Sequence, residues 1–201
     1  MNFLEKIKQV LLNPSKFFSE IEKEKGIKAS LIYLTVLVVF FTIMSLILLL
    51  IFKEKIVNLF LNLFNLGAEA QAFSLTQTIE ILLISAPISI LSTFIVSGIL
   101  YVWLLIYKGE KDYQTVYKLY TYSRTPSLVF GWIPIINWFS WVYSLVLLII
   151  GTHKIYKFSK LKSTLIYLIP LFLLLVLFFI LFIIFLLLIT AIAQNPVSET
   201  F

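Results

Sequence analysis

The sequence predicts an all-α, polytopic membrane protein: a five-helix transmembrane bundle preceded by amphipathic interfacial helices. Three observations carry this. The 201 residues are 61% hydrophobic and 13% charged, with a mean hydropathy of +1.03, where soluble domains run about 45–50% apolar and about 25% charged. Residues 31–52 and 165–193 are apolar runs longer than the roughly 18 residues that mark a spanning helix. The lysines, finally, are segregated by connection in the manner described below. The chain divides into cytoplasmic interfacial helices (1–26), a membrane domain (27–193) and a short external tail (194–201).

Composition also narrows the chemistry. With no cysteine, disulfides, thiolate catalysis and Cys-ligated metals are excluded. Residues 1–25 interleave Glu5, Glu20, Glu22 and Glu24 with lysines and do not read as a cleavable signal peptide. The net charge of +6 fits a positive-inside signal and attraction to anionic headgroups rather than nucleic-acid binding. Richness in Ile, Phe, Lys and Leu points to an AT-rich microbial genome, hence a prokaryotic cell membrane.

The elements follow in order. In residues 2–12, Phe3, Leu4, Ile7, Val10 and Leu11 share one helical face. Asn13 is a good N-cap and Pro14 fits a first helical turn, so a second short helix carries Phe17, Phe18 and Ile21 until Gly26 stops it. Both helices are expected in the cytoplasmic headgroup layer; a partner-binding arm is the sharper alternative. The first span is Ile27–Phe52. Asn58, Asn62 and Asn65 then share one face of an interfacial helix on the far side of the membrane. The second span, about Thr78–Tyr107, contains Pro87 and a strip of Ser85, Ser89, Thr93 and Ser97, one every four residues. Such a strip lets another helix approach closely. A later span is expected at about Ile135–Ile150, with Trp132, Trp138 and Trp141 at its interfacial start and Gly151 as its end. A basic loop holding His153 leads to the last span, Ser163–Ala193.

Lysine and arginine counts set the topology. Residues 1–28 hold six, 53–73 two, 108–118 three, 131–137 none, 153–162 four and the tail none. If residues 112–130 also cross, these counts alternate as the positive-inside rule requires, with the N-terminus cytoplasmic and the C-terminus external.

That crossing would be unusually polar. On a helix at 100° per residue, Tyr113, Tyr117, Tyr120 and Arg124 fall within about 60° of one another. Gln114, Lys118 and Thr125 form a second polar face, and only Val116, Leu119 and Ser123 make a strip that lipid would accept. Arg124 lies roughly 18 Å from the cytoplasmic turn at 1.5 Å per residue. An arginine at that depth costs about 2.5–3.5 kcal/mol on insertion scales, so a partner is expected. The candidates are Glu80, the one acid in the apolar spans, and the carbonyls that Pro87 and Pro126 free at Leu83 and Tyr122. Pro126 and Pro134 disfavour helix just before themselves, which places a break near Thr125 and a corner around Gly131.

Three landmarks now stand out: Asn13-Pro14 with Phe17-Phe18; Tyr122-Ser-Arg-Thr125-Pro126 followed by Gly131-Trp-Ile-Pro134; and Val142 through Gly151 to Ser163. Together they resemble the Yip family of five-span membrane proteins, named for interaction with Ypt/Rab GTPases in eukaryotes. The resemblance covers nearly the whole chain. It implies an N-in five-helix domain, oligomer formation, and roles in vesicle budding and membrane shaping. Only 26 residues precede the first span, similar to the short prokaryotic members, which counts against GTPase binding.

No nucleophile, metal or phosphate-binding motif points to an enzyme, and no cofactor is expected. The leading expectation is a non-enzymatic membrane-organising or adaptor protein. It would act through anionic headgroups and through homo-oligomers or other membrane proteins. The alternative is a small transporter using the Arg124/Tyr face and the helix breaks.

Overall fold

A computed structural model describes residues 2–63 and 75–194; within them the chain is helical, with no strand. It comprises α1 (Phe3–Leu12), α2 (Pro14–Glu20) ending in a 3₁₀ turn at Ile21–Lys23, α3 (Lys28–Leu63), α4 (Leu75–Ile106), α5 (Tyr113–Ser123), α6 (Thr125–Phe130), α7 (Pro134–Tyr156) and α8 (Lys160–Gln194). Four stretches among the described residues are long and apolar enough to cross a membrane: Lys28–Phe52, Thr76–Ile106, Pro134–Tyr156 and Lys160–Leu187. The chain is therefore a multi-pass membrane protein by helix length and composition. The segment expected to be the third span consists of two short helices, α5 and α6, broken at Arg124. The segment is too polar to join the four by hydropathy, and Pro126 withholds the hydrogen bond that would carry α5 smoothly onward.

Residues 1–158 form one compact unit, and α8 belongs to a second. Within the first, α5 packs against α4, α3, α7 and the 3₁₀ turn, while α6 packs against α3 and α7. Polar contacts fix the directions. Tyr113, at the start of α5, bonds Phe94 on α4, and Arg124, at its end, reaches back to Ser89, so α5 runs antiparallel to α4. Ser127 on α6 bonds Ser144 on α7, and Leu119 on α5 lies against Gly151, so α5–α6 also runs antiparallel to α7. The basic turns after α4 and at the end of α7 consequently lie side by side: a Cβ on Gly109 would sit 2.7 Å from the Tyr156 ring.

Outward faces are apolar. Ile32, Val36, Val39 and Ile43 on α3, and Ile84, Ile88, Leu91, Ile95 and Ile99 on α4, are exposed, as expected of surfaces solvated by lipid. The strip Val116, Leu119 and Ser123 does not join them. All three are buried, because that side of α5 is covered by other helices.

The N-terminal helices differ from the headgroup-layer picture. Leu4 and Leu12 are exposed, but Val10, Phe17, Phe18 and Ile21 are buried inside the unit, with α2 against α7. Asn13 does not cap α2 with its side chain; Asn2 caps α1, accepting from Glu5 N at 2.8 Å. Gly26 does take the left-handed conformation, at φ +67°, that an L side chain resists.

Two expected boundaries also move. Among the described residues no separate interfacial helix follows the first span; α3 continues through Leu63, while Asn65 lies outside them. Gly151 does not end α7, which runs on to Tyr156 and stops at Lys157 in the left-handed region, φ 55°. A side chain at Gly151 would strike Leu119 and Phe18. The glycine serves close approach, not termination. In the second unit, Ser159 caps α8, its hydroxyl accepting from Lys162 N at 3.2 Å.

Candidate functional site

The tyrosine–arginine stripe of α5 faces α4. Tyr113 donates to the Phe94 carbonyl at 2.9 Å, and the Tyr117 ring lies 4.7 Å from that of Phe94. Arg124 reaches the serine–threonine strip. Its guanidinium donates to the Ser89 carbonyl at 3.2 Å, to the Ser89 hydroxyl at 2.9 Å, and to the Thr93 hydroxyl. Tyr120 stands beside it, 5.9 Å from ring centre to guanidinium carbon. This strip is where a cation is solvated by hydroxyl and carbonyl dipoles.

Glu80 is not among these groups. It is exposed, nine residues before Ser89, which on a helix is two and a half turns. It therefore sits on the opposite face and roughly 13 Å away along the axis at 1.5 Å per residue. Ser85 is exposed too, its hydroxyl turned back to the Leu82 carbonyl at 2.7 Å. Ser97 is buried, its hydroxyl without a hydrogen-bond partner. The carbonyl that Pro126 frees at Tyr122 is filled by the Thr125 hydroxyl at 2.7 Å, and Tyr33 donates in turn to Thr125 at 2.9 Å.

A second polar cluster ties the N-terminal arm to α5. Tyr122, fully buried, donates to both carboxylate oxygens of Glu24, at 2.8 and 3.0 Å. Lys6 completes the triangle, 3.1 Å from Glu24 and 2.9 Å from the Tyr122 hydroxyl. One helical turn earlier on α5, Lys118 is only 3% exposed, and its ammonium donates to the carbonyls of Glu24 at 2.7 Å and Ile21 at 3.3 Å. Those carbonyls close the α2 segment, that of Ile21 also accepting from Glu24 N at 3.2 Å, so a cation there meets carbonyl lone pairs at the negative end of the helix dipole. Sequence reading passed over this cluster. Lys6 and Glu24 look like solvated charges on a short amphipathic helix, and no local spacing links them to Tyr122, 98 residues beyond Glu24. The polar face holding Lys118 was the one available signal.

Two recesses lie along the seam between α7 and α5 with its flanking segments. One, about 300 Å³, lies between α5–α6 and α7 and is lined by Tyr120, Ser123, Arg124, Ser127, Trp141 and Ser144 among others. The second, about 390 Å³, lies at the far end of the same helices, between the α4–α5 turn and the end of α7. There Asp112 caps α5, accepting from Thr115 N at 3.1 Å. Hydrogen bonding from the Thr115 side chain, and then from its backbone N–H, holds the Asp112 carboxyl below its usual range against the cost of burial, with nearby Lys118 adding to the effect.

The three landmark segments converge in this core. The Phe17 ring lies 5.0 Å from Tyr122, edge to face, and Phe18 fills the notch over Gly151. Thr125 and Pro126 are buried beside them, while Gly131 turns the chain into α7, where Pro134 occupies the first turn. The family model for the Yip1 domain matches residues 8–184. The chain belongs to the Yip1 domain family. No curated protein and no solved structure matches it. In this Yip1 domain the matched segment takes in α2, three candidate spanning stretches with most of the fourth, and both polar clusters apart from Lys6, which precedes it with the first half of α1.

Proposed function

We propose that this Yip1-domain protein is a non-enzymatic membrane organiser: a five-crossing bundle, N-terminus cytoplasmic and C-terminus external. It acts through its basic cytoplasmic face and through association with copies of itself or other membrane proteins. The observation that carries the reading is that the charged groups of the interior, with Tyr122, are held by the fold. Arg124 is solvated by Ser89 and Thr93, Lys118 by helix-end carbonyls, and Tyr122 by Glu24. Interior groups spent on structure leave the surfaces to do the work.

The fifth crossing is supported by the contact between Gly109 and Tyr156. If α7 spans the membrane and its end lies beside the end of α4, the chain must first travel to the other side. Only α5–α6 is available to take it there. GTPase recognition forms no part of this proposal, nor does any cofactor.

One observation favours a second reading, transport of a small anion: the 300 Å³ recess borders Arg124 and three serines. Reconstitution into liposomes separates the two. The organiser reading predicts cross-linked multimers at low protein density and no chloride or phosphate flux above empty vesicles. Flux that disappears in Arg124→Gln would replace it with transport.

A further inference from the structure

Among the described residues, only two that are not glycine have positive φ, Lys108 (62°) and Lys157 (55°). Both are lysines, and both line the 390 Å³ recess where the α4–α5 turn meets the end of α7. Each occupies the position just past a helix end that glycine fills at no steric cost. At α4 the hydrogen bonds are those of a Schellman motif: Gly109 N donates to Leu104 O at 3.0 Å and Lys108 N to Leu105 O at 2.9 Å. The glycine stands one residue later, where a side chain would collide with Tyr156. The left-handed site is thus left to a lysine, as it is again at Lys157. Backbone strain held at two positions around one cavity is the pattern of residues kept for what their side chains do.

The rim also includes Lys111 and Glu110, for a net charge of +2 by count. Trp103 and Tyr107 ring the same end of α4, the kind of aromatic girdle that marks headgroup depth. We propose that Lys108, Lys111 and Lys157 form a binding site for a phosphate group, the headgroup of an anionic phospholipid in the cytoplasmic leaflet. Lysine ammoniums supply compact charge to its non-bridging oxygens, and Tyr156 forms one wall. The headgroup assignment rests on the orientation proposed above; the phosphate chemistry does not, so binding in detergent tests it apart from topology.

The full-length chain in neutral detergent is titrated calorimetrically with dihexanoyl phosphatidic acid, dihexanoyl phosphatidylcholine and inorganic phosphate. Saturable binding of phosphatidic acid over phosphatidylcholine is expected. Lys108→Gly and Lys157→Gly each weaken it about fivefold while Tm stays level or rises, because glycine relieves the backbone. Glu110→Gln binds as tightly or more so. Weak inorganic phosphate binding identifies a lipid headgroup as the source; equally tight binding identifies soluble phosphate at the same site. Absence of saturable binding, glycine variants that bind like the parent, or a fall in their Tm would overturn the proposal.

Discussion

An arginine inside an apolar bundle must find either an opposite charge or a set of dipoles, and Arg124 finds dipoles. The helical wheel puts Tyr113, Tyr117, Tyr120 and Arg124 on one face of α5, and the serine–threonine repeat of α4 was visible as a line. That one docks on the other was not legible. Sequence offers charge pairing as its obvious rule and so points to Glu80, whereas hydroxyl solvation depends on register between helices. The double-mutant cycle therefore has a definite outcome. Arg124→Leu combined with Thr93→Val should show coupling of about 0.6–1.7 kcal/mol, the range for polar contacts within membranes. Arg124→Leu combined with Glu80→Leu should be additive in the same unfolding assay. Coupling to Glu80 in place of Thr93 would refute the assignment.

At the scale of elements, glycines and prolines mark the joints, but sequence does not say which kind. Pro126 and Pro134 were legible as break and restart. Gly151 suggested a stop yet is a notch: α7 continues past it because the helix packs there against Leu119 and Phe18. The amphipathic pattern of α1 and α2 showed that they bury one face, but not whether lipid or protein receives it. Gly151→Ala should destabilise the protein by about 1–3 kcal/mol through overpacking and loosen the arm, seen as faster hydrogen exchange in residues 3–20. Phe18→Leu in the same chain should recover part of the loss, since the arm seats on that notch. Exchange confined to α7 would mean the arm is held independently of it.

For the whole molecule, composition alone established the membrane class, and lysine counting supplied the alternation of sides. Hydropathy does not mark α5–α6 as a span; in the five-crossing proposal that segment is solvated by protein and has no need to be apolar. The structure offers a separate argument for the same crossing, namely that two basic turns, at 108–111 and 154–157, lie together at one end. In a chain free of cysteine, single cysteines at Glu110, Ile135 and Lys154 can be probed with a membrane-impermeant thiol reagent in sealed right-side-out and inside-out vesicles. All three positions are exposed. Labelling of Glu110→Cys and Lys154→Cys from the cytoplasmic side, with Ile135→Cys reached only from outside, is the expected result. Labelling of Ile135→Cys from the same side as the other two would show that α5–α6 does not cross, and would contradict the five-crossing bundle.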